Sequence, residues 1–453
     1  MYKRQIPLSQ AIPLGLQHVM AMFIGNLTPL IIVMGVCGLT ADAGFGELRT
    51  ALLQNAMIIA GVVTLVQMFS IGPVGGKVPI VMGTSSGFLG VLNNTVAACG
   101  GGILAYGAIM GACIVGGIFE SVLGAFLKPL RKFFPPIVTG SVVIAIGLSL
   151  LGVGINYFCG GSGKADYGSL PNLFLGFVVL VVIVLLKHFA PQKSILSSSA
   201  ILFGILAGYV VAIIMTLTLP HTGIDADGVQ YTYSWVVDFA QVKNAAWIAV
   251  PSFIGFGALS DVKITFQASA IIPIGIMFIV TAIETVGDIS ACIEGGMDRE
   301  ATDSELSGGV ICDGLGSAFA ALFGVLPNTS FSQNVGLVSL TKVVNRFAIS
   351  MGAIFLILCG FCPKIGALMS IMPQSVLGGA AVMMFASILI SGIQLITKHP
   401  IGSREITIIS VAIGLGYGLG ATTGATAHLP YYVQLIFGGS GICLLYTSPS
   451  PRD

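Results

Sequence analysis

The chain has 453 residues, of which 55% are hydrophobic and only 8% are charged, with a net charge of +1. A soluble domain carries about 25% charged residues, so charge this sparse cannot clothe a water-facing surface. The near-zero balance leaves no basic footprint for nucleic acid, and the chain reads as an all-α polytopic membrane protein set in a lipid bilayer.

A helix crosses a bilayer with about 20 apolar residues. In chain order, such stretches lie near 12–36, 49–70, 101–126, 136–153, 170–188 and 195–219. After a long break they resume near 268–292, 308–326, 346–361, 376–396 and 404–420. Two shorter segments rich in Gly, Ser and Thr, at 79–92 and 328–341, bring the number to thirteen, and a fourteenth begins near Gly441. The ends, 1–5 and 444–453, read as non-native tails. "LLYTSPSPRD" is polar where an apolar span is expected, so the final helix is expected to be cut short. No cleavable leader is visible, since the first apolar run is long enough to span. The nine cysteines show no paired extracellular spacing, and the Cys359–Cys362 pair in "CGFC" lacks a thioredoxin-like context.

With the N-terminus on the cytoplasmic side of the cell inner membrane, the inside loops hold most of the Lys and Arg. Lys128, Arg131, Lys132, Lys187 and Lys193 are examples, while Arg49, Lys164, Lys243, Lys263 and Lys364 fall outside. That is the positive-inside bias. The long loop 220–263, with Asp225, Asp227, Asp238 and Asp261, then faces outward and joins two halves.

The halves read as repeats. "KVPIVMGTSSGFLG" (77–90) and "VLPNTSFSQNVGLV" (325–338) each place a proline before a Ser/Thr cluster and a glycine. "PPIVTG" (135–140) and "PQSVLG" (373–378) follow at a similar offset. Seven spans per half invert the second half relative to the first. Inverted repeats with short, broken segments at matching places point to a transporter's binding site. Kinked helices packed by small residues are the alternative.

Four acidic residues fall inside expected spans: Glu120, Glu284, Asp288 and Asp313. A carboxylate at mid-membrane costs about 2.5–3.5 kcal/mol, so it is rare unless it pairs or lines a pathway. Glu284 and Asp288 are four apart and share a helix face. Two carboxylates so placed suit a site that takes and gives protons. Asp313 is expected to start the next span. Each of the four also fits a purely structural role, holding helices together. Gln17 and His18, in the first span, either hold the site in place or titrate with the carboxylates.

Pro327 and Asn328 stop a helix. Residues 328–332 can run extended, and a helix can start near Gln333–Asn334 with its first amides free at mid-membrane. Such backbone is tolerated at that depth only inside protein or lining a cavity. The mirrored segment would bring Thr84, Ser85, Ser86 and Gly87 to face it. Gln333's amide, Glu284's carboxylate and free backbone groups suit a flat neutral heterocycle with adjacent N–H and C=O groups. They suit a sugar less well and would repel an inorganic anion. No HExxH or His-rich box is present, so a membrane enzyme is not expected.

"QNVGLVSLTK" (333–342) resembles the signature of the nucleobase–ascorbate transporter family, with Gln333, Asn334, Gly336, Thr341 and Lys342 all fitting. "QH" at 17–18, Glu284 in "AIETVGD" and "DGLGS" at 313–317 are also similar to that family, over about 10–443. The resemblance implies fourteen helices in two inverted sevens and an elevator-type secondary transporter of the xanthine/uric acid permease kind. Its core domain would comprise 6–126 and 264–361, and its gate domain 127–219 and 362–443. Glu284 and Gln333 would grip the base with Asn334, Ser85, Ser86 and Gly87 around it. Asp288, Asp313, His18 and Gln17 would serve coupling or support. No cofactor or metal is implied; H⁺ is the expected coupling ion and Na⁺ the less favoured one. Members often dimerise through the gate domain. Gln333, where uracil carriers have Glu, favours purines. A uracil or other nucleobase carrier, or an anion transporter on the same fold, is the alternative. Ser86, where an aromatic is common, and Lys342, where many bacterial xanthine carriers have Gly, depart from the pattern.

Overall fold

The computed structural model describes residues 7–127, 136–161, 163–191, 194–224, 229–397, 400–422 and 428. The expected final span and both tails lie outside them, as do Lys128, Arg131, Lys132 and Lys193.

The first half runs through α1 (Leu8–Val36), α2 (Gly46–Phe69), a short strand β1 (Met82–Thr84), α3 (Leu89–Ala98), α4 (Gly102–Ala125), α5 (Pro136–Phe158), α6 (Leu170–Phe189) and α7 (Ala200–Thr218). A hairpin of β2 (Thr222–Ile224) and β3 (Gln230–Thr232) opens the connecting loop. The second half runs through α8 (Ala268–Met297), α9 (Asp303–Leu322), β4 (Asn328–Ser330), α10 (Ser332–Thr341), α11 (Arg346–Gly360), α12 (Pro363–Ser370), α13 (Gln374–Ile396) and α14 (Ser403–Ala421). Seven of the described helices are long and apolar enough to cross a membrane, and α11 with α12 makes a further broken span bent by 81°. The protein is a multi-pass membrane protein.

The packing is two-fold. α4 lies along α9 as α11 lies along α2; α1 packs on α11 as α8 packs on α4; α6 packs on α13 as α14 packs on α5. Exchanging α1 with α8, α2 with α9, α4 with α11, α5 with α13 and α6 with α14 turns each pair into another. At the α4–α9 crossing Gly117 meets Gly314, and at the α1–α11 crossing Gly15 meets Gly352. A Cβ on any of these would run into the partner's backbone. Without a hydrophobic force between helices in lipid, such close backbone approach supplies the packing. α5, α6, α7, α13 and α14 form one group; α1, α2, α8 and α9 pack on the two strands, with α4 and α11 packed outside them.

The broken segments meet at the centre. β1 and β4 pair antiparallel with Met82 opposite Ser330, Gly83 opposite Thr329 and Thr84 opposite Asn328. Ser85 N donates to Pro327 O at 2.8 Å and Phe331 N to Val81 O at 3.0 Å, extending the ladder at both ends. The expected extended stretch and helix start are both present; α10 begins at Ser332, one residue before Gln333.

One expected boundary is corrected. α9 begins at Asp303, so Asp313 sits mid-helix instead of starting the span. Thr302 and Glu305 form a reciprocal capping box, which satisfies the first amides. A polar first two turns, "DSELSGG", hid that start from a hydropathy reading. The stretch 195–219 is also divided: a one-turn helix, Ile195–Ser198, precedes α7, with Ser198 Oγ donating back to Ser194 O, a local bond that competes with helix continuation.

Candidate functional site at the crossed strands

Each strand is held by a hydroxyl from the helix before it. Thr64 on α2 accepts from Met82 N (2.9 Å) and donates to Met82 O (3.2 Å). Ser317 on α9 accepts from Asn328 N (3.0 Å) and donates to Asn328 O (2.9 Å). Met82 and Asn328 are equivalent about a two-fold through the Gly83–Thr329 pair. A second pair of clasps obeys the same symmetry. Asn26 Oδ1 on α1 accepts from Thr84 N (2.8 Å) and Thr84 Oγ1 (3.1 Å). Asp288 Oδ2 on α8 accepts from Ser330 Oγ (2.6 Å) and Ser332 Oγ (3.0 Å). Buried strand groups away from water need such partners.

The carboxylates divide by their partners. Asp313 is fully buried, and its Oδ2 accepts from Thr285 Oγ1 and from Thr329 Oγ1, the latter at 3.2 Å. Glu120 on α4, also fully buried, accepts from Thr281 Oγ1 at 3.2 Å. With Asp288 these three have hydroxyl donors from α8, β4 or α10. Glu284 differs. It is half-buried, and its side chain has no hydrogen-bond partner among the described residues. Its Oε2 lies 3.8 Å from where a Cβ on Gly87 would sit, and Ser85 Oγ lies 3.5 Å from that point. Ser85 Oγ is buried without a partner among the described residues, and Ser86 and Gly87 beside it are half-buried. α8 thus presents Glu284 to the turn after β1, close to Ser85 and Gly87.

Glu284, Ser85, Ser86 and Gly87 are therefore brought together, and Asp288 and Asp313 lie one layer behind, bound to the strands. Asn334 is turned the other way. Its Nδ2 donates to His18 O at 2.9 Å and lies 3.2 Å from His18 Nδ1, tying α10 to α1. Gln17 is not brought to the carboxylates: its Nε2 donates to Ser198 Oγ at 3.1 Å. It and His18 leave α1 in different directions. Gln333 has its backbone in the first turn of α10, and its side chain lies outside the described residues.

Sequence reasoning missed Asn26, Thr64 and Thr285. It searched spans for ionisable groups, and neutral hydroxyls are common in helices. Asn26, a wholly buried amide in "IGNLTP", carried the strongest signal overlooked. The aromatic lacking at Ser86 is not replaced by Phe88, whose ring is buried edge-on against Phe278, centroids 4.8 Å apart.

A carboxylate open to a ligand, a free hydroxyl and a helix start in one place accept N–H groups and offer donors to C=O groups. The two-fold exchange of helices and the crossed strands define an inverted-repeat transporter fold. The transmembrane domain of a cyanobacterium bicarbonate transporter, BicA, has this fold, with a TM-score of 0.60 at 16% identity, covering 92% of this chain and 98% of that one. SLC26A9 superposes with a TM-score of 0.59 at 14% identity, covering 91% and 63%. At such identities the likeness concerns the fold alone.

Residues 9–424 match the model of the permease family, and the chain belongs to that family. A putative purine permease of Clostridium perfringens is 37% identical over 439 residues, 96% of this chain and 88% of the relative. The uric acid permease PucK of Bacillus subtilis is 34% identical, covering 93% and 89%. The xanthine permease of the same organism is 34% identical, covering 94% and 89%. The protein is a membrane transporter and not an enzyme.

Proposed function

We propose that the protein imports an oxidised purine, xanthine or uric acid, across the cytoplasmic membrane by proton symport. One observation carries the site assignment. Among the four carboxylates inside the spans, Glu284 alone has no hydroxyl partner among the described residues, and it faces Ser85 and Gly87. A carboxylate so exposed accepts N–H groups from a flat heterocycle, the charge-assisted kind of hydrogen bond. Gln333, in the first turn of the facing helix, supplies a donor and an acceptor for the other edge, with Asn334 positioning it. Asp288, Asp313 and His18 serve coupling or hold the strands. The relatives named as purine, xanthine and uric acid permeases support the substrate class.

In this reading 6–126 and 264–361 form a core domain that carries the site, and 127–219 with 362–443 form a gate domain. Transport is elevator-like, the N-terminus is cytoplasmic, and the protein dimerises through the gate. H⁺ drives uptake in preference to Na⁺.

The test is uptake of radiolabelled xanthine by purine-transport-deficient bacteria expressing the protein, with unlabelled urate, guanine, hypoxanthine and uracil competing. Saturable uptake that purines block, uracil does not, and an uncoupler abolishes is the expected result. Uptake blocked by uracil alone overturns the substrate class. Uptake that needs Na⁺ and survives the uncoupler overturns the coupling.

A further inference from the structure

Half of the connecting loop is not built for water. Between Lys243 and Asp261 the sequence reads "NAAWIAVPSFIGFGALS", without one charged residue. In the structure Trp247, Ile248, Val250 and Phe256 are each at least 71% exposed and Phe253 53%. Several such side chains in a row on a water-facing loop would be an unusual liability.

This segment is strapped to the ends of α9 and α11 and to a point inside α2. Asn55 Nδ2 donates to Ser252 O at 2.8 Å, and Asn55 lies nine residues into α2. At 1.5 Å per residue that is about 14 Å along the helix. Ala249 N donates to Phe361 O at the end of α11, and Ile254 N to Leu322 O at the end of α9, both at 3.1 Å. Leu259 is fully buried beneath. Irregular backbone at membrane depth needs this kind of internal satisfaction. The exposed face also continues a lipid-facing flank. Phe319 on α9, itself 42% exposed, packs on Phe323, and Phe323 packs on Phe253 of the strap, with centroids 5.1 and 4.5 Å apart. At the strap's start Lys364 Nζ stands 5.0 Å over the Trp247 ring and donates to Val242 O. A tryptophan with a lysine above it, at the edge of an apolar face, is the pattern of side chains at a membrane–water boundary.

We infer that residues 244–260 form a membrane-interface anchor whose apolar side chains insert into the phospholipid leaflet on the side of the connecting loop. Trp247 marks the headgroup level, and Val250, Phe253 and Phe256 reach the acyl boundary. The anchor is attached through its backbone to α2, α9 and α11, and so ties those helices to the lipid surface.

The sequence supplies its own probe, because Trp235 and Trp247 are the two tryptophans and Trp235 is buried. The full chain with Trp235→Phe is reconstituted in phosphatidylcholine brominated either near the headgroup or near the chain ends. Shallow bromines should lower the emission by about two-fold, as for an interfacial tryptophan, with deep bromines and aqueous iodide doing less. Strong iodide quenching without bromine quenching places the strap in water and overturns the inference. Quenching by neither means that protein covers it, and overturns it too. Should Trp235→Phe fail to fold, the wild type is compared with Trp247→Phe: the bromine-sensitive part of the emission must disappear with Trp247. If it persists, the anchor is refuted.

Discussion

The two crossed strands share a backbone and differ in what holds them. β1 is clasped by neutral groups, Asn26 and Thr64. β4 is clasped by Ser317 and by two carboxylates, Asp288 and Asp313. The two-fold relates Thr84 to Ser330, and with them Asn26 to Asp288, so an amide in one half stands where the other half has an acid. Symmetry supplies the crossing, which needs both halves alike. Asymmetry supplies the chemistry, which needs acidic groups on one side and room on the other. α8 contributes Glu284, and the first half contributes the turn at Ser85 and Gly87 that it faces.

The largest expected effect comes from the acidic side. Glu284→Gln keeps the shape and removes the charge. Purine uptake should fall about 10- to 100-fold, matching the 1.5–3 kcal/mol of a hydrogen bond to a charged group, with membrane insertion unchanged. Uptake near wild type would take Glu284 out of the site. Asp288→Ala leaves the Ser330 and Ser332 hydroxyls without their acceptor. It should cost about 2–6 kcal/mol, at about 1–3 kcal/mol per stranded group, seen as a lower unfolding temperature in detergent together with reduced uptake. Asn26→Ala strands the Thr84 amide and hydroxyl, and should lower the same temperature while sparing more of the uptake. Equal loss of uptake from both variants would break the division between neutral scaffold and acidic site.

Gly83 tests how tightly the crossing is built. A Cβ there would stand 2.7 Å from Met22 Cε and Phe331 Cε2 and 2.9 Å from Asn26 Oδ1. Gly83→Ala should therefore cost about 1–3 kcal/mol by overpacking, read in the same thermal assay. The smallest effects sharpen the symmetry itself. Thr64→Ala and Ser317→Ala should each cost about 1 kcal/mol and resemble one another. A loss confined to one of them would mean that the equivalent clasps carry unequal load.

Much of this arrangement was legible in the sequence because its breaks are chemical. Pro79 and Pro327, each followed by a Ser/Thr cluster, cannot continue a helix, and both segments are the ones that cross. Glu284 and Asp288 stand out because acids are scarce in spans. What stayed hidden lies in geometry that spacing does not encode. Adjacent side chains on α1 separate, so His18 reaches Asn334 while Gln17 reaches Ser198. The polar opening of α9 moved Asp313 from a helix end to a helix middle. The connecting loop is marked by its aspartates, while residues 244–260 lack both charge and a regular apolar period, so nothing in their spacing sets them apart as a structured segment.

Lys342 closes the signature stretch in an uncommon way. Its backbone takes a left-handed conformation, φ 56°, as the residue that stops α10. Its Nζ donates to Gly295 O at 2.7 Å and to Asp298 Oδ1 at 3.0 Å, and Asp298 is the left-handed residue, φ 53°, that stops α8. One lysine thus terminates two helices, the first with its main chain and the second with its side chain. Helix ends normally fray one at a time. Here the helix bearing Glu284 and the helix bearing Gln333 share a terminator, so unwinding of one from that end would loosen the end of the other.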